Sequence, residues 1–376
     1  MNESLNKEEL LRYSRHLLLP EVDVAGQLRI KNSSVLVVGA GGLGSPVILY
    51  LAAAGVGKIG IVDFDSVDSS NLQRQIIYVN DDVSKSKTAQ AAQKAIALNP
   101  EIQVVGHNER LTSKNALEII SQYDLVIDGS DNFGTRYLVN DACVFLGKTN
   151  VYGSIYRFEG QASVFCKKDG PCYRCLFPDP PPPDAVPNCA EAGVLGVVAG
   201  VIGCIQATEA LKLIVGIGES LSGRLMLYDV LSMKFDSLPI PKDPNCPVCG
   251  VSPRIVKLED TEVACAAAVE VAHLIAPADL SAQLKAGKPI LLLDVRSPHE
   301  VAQGKLKNST NIPLQELHGR INELERNACI VTYCRSGMRS MQALEVLVQN
   351  GFKNVRSLDG GIMRWTEDAL PIETSS

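Results

Sequence analysis

A glycine-rich turn follows an apolar, β-branched run near the start of the chain, with Gly39, Gly41 and Gly44 at G-x-G-x-x-G spacing and Gly42 between them. Glycine permits a tight turn and close backbone approach, and the N-terminus of the following helix offers unpaired N–H groups to a phosphate. Asp63 ends the next apolar run, about 20 residues further on, where a carboxylate can hold a ribose hydroxyl. The pattern predicts a nucleotide site.

A polar and cationic cluster after Asp63 indicates which nucleotide this site takes. The cluster comprises Ser70, Asn71, Leu72, Gln73 and Arg74, followed by Lys87. An arginine and a lysine that converge on phosphates suit a triphosphate that is cleaved, because they offset the charge of the departing pyrophosphate. A nicotinamide cofactor does not need such a pair, so a nucleoside triphosphate is favoured.

Two aspartates follow a later apolar run, predicted as a strand at 124–127. Asp131, with Asn132 beside it, lies about one turn beyond the strand, where a carboxylate can bind the Mg²⁺ that bridges phosphates. The alternative is that Asp131 is the N-cap of a helix predicted at 132–145. Asp128 could take either role.

Two cysteine pairs are spaced for a metal: Cys172-x-x-Cys175 and Cys246-x-x-Cys249. Four sulfurs in C-x-x-C pairs suit a closed, tetrahedral Zn²⁺ site that is structural, because no ligand position stays open. Two redox dithiols are the alternative.

Cys189 follows a proline-rich run at 178–187 that cannot form a regular element, because proline lacks the amide donor. We expect an extended loop there that presents this thiol. Five other cysteines have no partner at a spacing typical of a metal or redox site, and we interpret them as packing residues. They are Cys143, Cys166, Cys204, Cys265 and Cys329.

Cys334 follows an apolar strand and precedes a short loop and a helix. Backbone N–H groups of such a loop, at a positive helix terminus, stabilise a thiolate or persulfide and lower the thiol pKa. Arg335 and Arg339 are expected to add positive charge. Only four residues separate Cys334 from Arg339, whereas a phosphatase loop needs five, so the loop is sized for sulfur.

Elements that would position these residues alternate between strand and helix, which predicts an α/β fold with a parallel, doubly wound sheet and the ligand at its carboxyl edge. The predicted strands are 34–38, 58–62, 102–105, 124–127 and 150–152, and the predicted helices are 45–54, 86–98, 114–121 and 132–145. A smaller α/β unit follows, with strands 290–295, 329–333 and 354–358 and a helix at 340–350. We predict a first domain at 1–252, a linker at 253–273 and a second domain at 274–376.

Bulk composition excludes several classes. The chain has 376 residues, a formal net charge of −6 and a pI near 5.5, which argues against a nucleic-acid partner. Its N-terminal residues lack the apolar core of a signal peptide, and the apolar run at 194–205 is too short to cross a bilayer, so a buried helix is predicted there. Eleven cysteines fit a reducing, cytoplasmic location with metal-bound or catalytic thiols.

The first half, residues 10–251, resembles the MoeB/ThiF family, relatives of the ubiquitin-activating enzymes. The matching residues are Arg12-Tyr13-Ser14-Arg15, the glycine turn, Asp63, Ser70 to Arg74, Lys87, Asp128-Gly129-Ser130-Asp131-Asn132, the two cysteine pairs and Asn188-Cys189-Ala190-Glu191-Ala192-Gly193. The resemblance implies ATP-dependent adenylation of the C-terminal glycine of a ubiquitin-like sulfur carrier protein (MoaD- or ThiS-like). It also implies a homodimer in which Arg15 reaches the partner subunit's nucleotide, and a covalent role for Cys189. Relatives often carry glycine and proline at the positions of Ser84 and Ser86.

The second half resembles a rhodanese. The matching segments are Asp294-Val295-Arg296, Asn311-Ile312-Pro313-Leu314, Cys334-Arg335-Ser336-Gly337-Met338-Arg339-Ser340 and Asp359-Gly360-Gly361. The resemblance implies that Cys334 carries a persulfide, loaded by a donor such as a cysteine desulfurase or thiosulfate. The stretch at 304–310 departs from the usual rhodanese pattern, so donor recognition could differ.

Together the halves predict an enzyme of the molybdopterin-synthase sulfurylase type, an adenylyltransferase and sulfurtransferase that thiocarboxylates a sulfur carrier for molybdopterin synthesis. The same chemistry could serve thiamine, cysteine or tRNA thiolation. A dinucleotide-binding oxidoreductase with a regulatory rhodanese module is the alternative from another class, and a non-catalytic scaffold is a third.

Overall fold

The computed structural model describes residues 4–181, 193–260 and 273–373. It divides into two compact units, Met1–Val263 and Ala264–Ser376. Cys189 and Cys265 lie outside the described residues.

The first unit is built on an eight-stranded sheet in the order β3-β2-β1-β4-β5-β6-β7-β8. Its strands are β1 Ser34–Val38, β2 Lys58–Val62, β3 Gln103–His107, β4 Leu125–Asp128, β5 Thr149–Tyr156, β6 Glu159–Phe165, β7 Arg224–Asp229 and β8 Lys234–Pro239. The five strands from β3 to β5 are parallel, which confirms the doubly wound prediction. Strands β6 to β8 continue the sheet antiparallel, an extension that the sequence reading did not anticipate.

Nine helices lie in the described part of this unit. They are α1 Lys7–Arg12, α2 Ser14–Leu17, α3 Asp23–Lys31, α4 Gly44–Ala54, α5 Lys87–Leu98, α6 Ala116–Ser121, α7 Phe133–Leu146, α8 Tyr173–Leu176 and α9 Gly196–Val215. The predicted helices are present with ends shifted by one or two residues. Strand β1 is buried from Val35 to Val38 because helices cover both faces of the sheet there.

Helix α9 is 20 residues long, longer than the apolar run at 194–205, and by length and composition alone it could span a membrane. It packs against α4, β5 and β6. Its buried Gln206 donates hydrogen bonds from Nε2 to the backbone oxygens of Asp128 (2.7 Å) and Val151 (3.1 Å). A polar side chain bonded to the central sheet is typical of a core helix.

The second unit is a five-stranded parallel sheet in the order β11-β10-β12-β13-β9. The strands are β9 Leu274–Ile275, β10 Ile290–Asp294, β11 Thr310–Asn311, β12 Cys329–Tyr333 and β13 Val355–Leu358. The helices are α10 Pro277–Lys285, α11 Pro298–Ala302, α12 Leu314–Arg320, α13 Met338–Gln349 and α14 Gly361–Glu367. Two apolar clusters on opposite faces of this sheet form the core.

Candidate functional site

The glycine turn joins β1 to α4 in the geometry that the sequence predicts. Gly39 has φ +91°, a conformation that favours glycine. A Cβ on Gly44 would lie 2.0 Å from the Gly39 carbonyl oxygen, so Gly44 serves the close packing of helix on turn. The buried Tyr78 hydroxyl donates to the Ala40 carbonyl oxygen at 2.8 Å, which fixes the backbone of the turn.

A pocket opens at the carboxyl edge of the parallel strands, beside this turn. Eight of the residues predicted to bind nucleotide line it: Gly39, Gly41, Gly42, Asp63, Arg74, Lys87, Asp131 and Asn132. Seven of them come from the ends of β1, β2 and β4 and from the start of α5, and Arg74 comes from the segment between β2 and α5; the fold brings them together. Backbone donors, carboxylates and two cations therefore share one cleft.

Asp63 and Lys87 set the electrostatics of one end of the pocket. Asp63 accepts hydrogen bonds from the backbone N–H groups of Ala40 and Asp65, each at 2.9 Å. Burial raises the pKa of Asp63, against the lowering effect of Lys87. The Lys87 ammonium is buried and pairs with the half-exposed Asp65 carboxylate at 2.9 Å.

The two aspartates after β4 have different environments. Asp128 is fully buried, and its Oδ1 accepts from the backbone N–H (2.9 Å) and hydroxyl (2.6 Å) of Ser130. Asp131 is exposed to the pocket and makes no hydrogen bond to any other described residue. The N-cap of α7 is Asn132, whose Oδ1 accepts from the Thr135 N–H at 2.8 Å. The N-cap alternative for Asp131 was therefore wrong, because Asn132 already satisfies that helix end.

The two C-x-x-C pairs converge although 74 residues separate them. Their four Sγ atoms lie within 4.8 Å of one another. The Sγ–Sγ distance is 3.5 Å for Cys172 and Cys246 and 3.5 Å for Cys175 and Cys249. A tetrahedron with Zn–S bonds of about 2.3 Å has S–S edges of ~3.8 Å. The cluster is compatible with zinc.

Backbone donors also favour a thiolate in this cluster. The N–H groups of Cys172 (3.4 Å) and Asp243 (3.5 Å) point at the Cys175 sulfur. The hydrogen bond with the Cys172 thiol lowers the pKa of Cys175 most, and the two backbone hydrogen bonds lower it further.

A buried polar network links this cluster to α7. Arg174 forms two hydrogen bonds with Asp141, Nε to Oδ1 and Nη2 to Oδ2, both 2.8 Å. Asn140 Oδ1 accepts from the Tyr173 N–H at 2.7 Å, and its Nδ2 donates to Asp141 at 3.0 Å. Helix α7 thus begins at the pocket. Its middle residues Asn140 and Asp141 bind the segment between Cys172 and Cys175.

In the second unit, Cys334 lies at the carboxyl end of β12 and is 1 % exposed. The Gly337 N–H donates to its Sγ at 3.2 Å, and Gly337 has φ +98°. Helix α13 begins at the next residue, so its N-terminus faces the sulfur. The Cys334 cup, as we call the loop from Cys334 to Gly337 with the start of α13, thus has the strand–loop–helix arrangement that the sequence predicts.

Comparison with protein families decides between the sequence-based alternatives. Residues 13–248 match the model of the ThiF family. The chain belongs to the ThiF family. Residues 276–368 match the rhodanese-like domain, so the protein is a ThiF-family enzyme with a rhodanese-like domain.

Two relatives match almost the whole chain, and a third matches about two thirds of it. The chain is 47% identical to the probable adenylyltransferase/sulfurtransferase MoeZ of Mycobacterium tuberculosis, over 98% of this chain and 95% of that one. It is 43% identical to adenylyltransferase and sulfurtransferase MOCS3 of Drosophila ananassae, over 98% and 85%. It is 55% identical to a sulfur carrier protein adenylyltransferase of Thermus thermophilus, over 69% and 97%. This ThiF-family protein is an adenylyltransferase and sulfurtransferase, and adenylyl transfer implies ATP as its donor.

Among solved structures, a crystal structure of E. coli MccB with MccA-N7isoASN superposes with a TM-score of 0.57 at 24% identity. The match covers 66% of this chain and 77% of that one. It supports the fold of the first unit.

Six predicted nucleotide-binding residues of this ThiF-family chain do not line the pocket. Arg15 is exposed on α2, and Gly44 packs against the turn. Ser70 and Asn71 lie in a short 3₁₀ helix, Ser69–Asn71, and Leu72 and Gln73 lie in the turn that follows. Asn71 accepts from the Asp68 N–H, Leu72 packs on the core, and Gln73 is exposed. Their roles remain predictions.

The pocket also holds residues that the sequence reading missed. They include Phe64, Asp65, Gln75, Arg110, Ser130 and Arg136. The Arg110 guanidinium lies 4.0 Å from the centroid of the Phe64 ring. Arg136 follows Asn132 by one helical turn, a spacing that could have marked it as facing the same side.

The Cys334 cup differs from expectation in its charge. Arg339 pairs with Glu300 through Nη1–Oε2 (2.8 Å) and Nη2–Oε1 (2.6 Å). A carboxylate from α11 therefore pairs with the positive charge that Arg339 was expected to add. Arg335 is exposed beside the cup.

Proposed function

We propose that this enzyme adenylates the C-terminal glycine of a ubiquitin-like sulfur carrier protein and then converts it to a thiocarboxylate. The observation that carries the proposal is the pocket, where Asp131, Arg74 and Lys87 meet the glycine turn. The name of the Thermus thermophilus relative, a sulfur carrier protein adenylyltransferase, supports this substrate class.

In the first step a carboxylate oxygen of the carrier attacks the α-phosphorus of ATP. A new P–O bond forms, the bond from the α-phosphorus to the bridging oxygen breaks, and pyrophosphate leaves. Asp131 is the residue suited to hold Mg²⁺, which when bound offsets phosphate charge. Lys87 and Arg74 would stabilise the departing pyrophosphate, with Lys87 exchanging Asp65 for phosphate. Asp63 would hold the ribose.

In the second step a persulfide on Cys334 attacks the acyl carbon, and AMP leaves with the electrons of the broken C–O bond. The product is an acyl disulfide to Cys334. A second thiol, for which Cys189 is the candidate, then attacks the Cys334 sulfur, so that the thiocarboxylate leaves and a protein disulfide remains for an external dithiol to reduce. Thiosulfate or a cysteine desulfurase would supply the sulfur that loads Cys334.

Several assignments complete the proposal. Cys172, Cys175, Cys246 and Cys249 hold a structural Zn²⁺ that ties the end of the first unit to its middle. Arg15, exposed on α2, reaches the nucleotide of a second subunit in a homodimer. The described cysteines are all free thiols, which supports a reducing compartment such as the cytoplasm.

Molybdopterin synthesis is the pathway that we propose, on the resemblance of the first half to MoeB. Thiamine, cysteine and tRNA thiolation use the same chemistry. The ThiF-family assignment favours adenylation over the alternative of a dinucleotide-binding oxidoreductase, and nucleotide that co-purifies with the protein should be ATP or AMP.

The adenylation half is tested by exchange of labelled pyrophosphate into ATP. We expect exchange that depends on the carrier and on Mg²⁺, because adenylation is reversible until the acyl group leaves. Asp131→Ala should abolish it, while Cys334→Ala, in the other unit, should leave it intact. Exchange that survives the loss of Asp131 would refute the metal assignment, and exchange without a carrier would indicate a small-molecule acid as substrate.

The sulfur-transfer half is tested by mass spectrometry of the carrier after incubation with ATP, thiosulfate and dithiothreitol. Replacement of one oxygen by sulfur adds about 16 mass units, since the persulfide supplies the nucleophilic sulfur. Cys334→Ala should form carrier adenylate but no such product. The same gain at the wild-type rate would show that another thiol or free sulfide is the sulfur source.

A further inference from the structure

Arg136 is a buried cation on the wall of the nucleotide pocket. It lies on α7 and is 7 % exposed. Its Nη2 donates to the Ser130 carbonyl oxygen at 3.4 Å and to the Ser154 hydroxyl at 3.2 Å. Both bonds are long for a charged donor, which ordinarily forms hydrogen bonds of about 2.7–2.9 Å.

No carboxylate among the described residues lies within ion-pair distance of this guanidinium. Its surroundings are the rings of Tyr152 and Tyr173, 5.1 and 5.9 Å from the guanidinium carbon. The Tyr173 side chain is also a hydrogen-bond partner, but Arg136 Nε is buried without one. The Asp128 carboxylate nearby is 0 % exposed and keeps Oδ2 without a partner. Buried charges in proteins are normally paired, so this cation indicates an anion that the ligand supplies.

The other cations of the pocket are engaged or solvated. Lys87 pairs with Asp65, Arg74 donates to the Ser70 carbonyl oxygen at 3.2 Å, and Arg110 is exposed over the Phe64 ring. Arg136 differs from all three in being buried and in making no direct ion pair with a described carboxylate, although the charge of Asp128 raises its pKa.

The position of Arg136 along the sheet edge shows which part of the ligand it faces. Asp63 follows β2, the glycine turn follows β1, Ser130 follows β4, and Ser154 lies on β5. These strands are adjacent in the order β2-β1-β4-β5. A nucleotide with its ribose at Asp63, its phosphates at the glycine turn and its Mg²⁺ at Asp131 leaves the β5 end, where Arg136 donates to Ser154, for the acyl substrate.

We propose that Arg136 binds the terminal carboxylate of the acyl substrate and orients it toward the α-phosphate; this inference rests on the proposed function. A guanidinium that holds one carboxylate oxygen leaves the other available for attack. The hold weakens once the acyl-adenylate forms, because an ester carbonyl lacks the charge of the carboxylate. The charge of Arg136 thus selects a free carboxylate before the reaction and releases the acyl group for transfer after it.

The test measures the discrimination between two forms of one probe. A MoaD-type carrier that ends in glycine is prepared with a free C-terminal carboxylate and as the C-terminal amide, and both are titrated into the full-length protein by calorimetry without ATP. Wild-type protein should bind the carboxylate form roughly tenfold tighter or more, as expected for a hydrogen bond to a charged group. Arg136→Gln should bind the two forms equally.

Arg110→Gln is the matched control, because it removes a cation from the opposite end of the same pocket. It should keep the carboxylate preference. A preference that persists in Arg136→Gln would overturn the inference, and so would a weakened affinity for ATP with an unchanged preference, which would assign the guanidinium to a phosphate. A purely structural role would weaken binding of both forms alike.

Should Arg136→Gln fail to fold, Ser154→Ala takes its place, since it removes one acceptor and leaves the charge. It should reduce the carboxylate preference severalfold without a change in ATP affinity; an unchanged preference would count against the proposal. A different result would refute the proposed function itself: wild-type protein that shows no carrier-dependent pyrophosphate exchange. Exchange with no carboxylate preference would refute the role of Arg136 alone.

Discussion

The ion pair between Arg174 and Asp141 offers a quantitative test of how the cysteine cluster is held. Arg174 lies between Cys172 and Cys175 of the cluster, and Asp141 lies on α7. The two side chains are 7% and 8% exposed. Arg174 also donates to the Pro178 carbonyl oxygen at 2.8 Å, and its guanidinium carbon lies 4.5 Å from the Tyr137 ring centroid.

Arg174→Ala leaves the Asp141 carboxylate buried with the Asn140 amide as its remaining side-chain donor among the described residues. Loss of one partner from a buried pair costs about 3–5 kcal/mol, because the other charge stays desolvated. For a unit of this size, each kcal/mol lowers the melting temperature by roughly 2–4 °C. The expected loss is therefore about 6–20 °C for the first unit.

Arg254→Ala is the matched control, since Arg254 also pairs with an aspartate, Asp179, at 2.9 Å. That pair is 67% and 71% exposed and should contribute less than about 1 kcal/mol. Calorimetry of the two full-length variants measures the melting temperature of the first unit in each, and metal analysis measures the zinc content. A cost for Arg174→Ala no larger than for Arg254→Ala would refute the reasoning. Joint replacement by Arg174→Met and Asp141→Leu should recover much of the loss, because no charge is then left buried.

Three further predictions follow from single sites. Wild-type protein should carry one zinc per chain, and Cys249→Ser should lose it and melt at a lower temperature, since a closed site stabilises the fold; metal analysis that finds no zinc in freshly reduced wild-type protein would disprove the assignment. Ser84 has φ +69°, so Ser84→Gly should raise the free energy of unfolding by roughly 0.5–1 kcal/mol, and an unchanged value in urea titration would argue against strain there. The Arg339 hydrogen bonds hold the pKa of Glu300 at about 2, below its ordinary 4.5. The stabilisation by Glu300, roughly 1 kcal/mol for this part-exposed pair, should be complete above pH 4.5 and fade as the pH falls toward 2. Urea unfolding of wild type and Glu300→Gln across that range should show the two curves converging, and a constant difference would contradict the assignment.

Much of the architecture could be predicted from the sequence because its signals are local. The alternation of β-branched runs with helical segments predicts the parallel core of each sheet, and the glycine spacing predicts the turn before α4. Cys334 is marked by its place between a strand and a helix. Each of these depends on backbone preferences within a dozen residues, so one chain is enough to show them.

Other features depended on which distant residues meet. Asp131 was a candidate for the helix cap until the backbone placed the Asn132 side chain against the Thr135 N–H. Arg339 looked like a free cation until α11 brought Glu300 against it.

The one sequence signal of Arg136 is its spacing of one helical turn from Asn132, and that spacing does not show that the side chain is buried beside Asp128. The sequence by itself determined the chemical groups and the elements that carry them. The tertiary structure decided which charges are neutralised and which remain for a ligand, because the energy of a charge depends on its burial and its neighbours, and packing sets both.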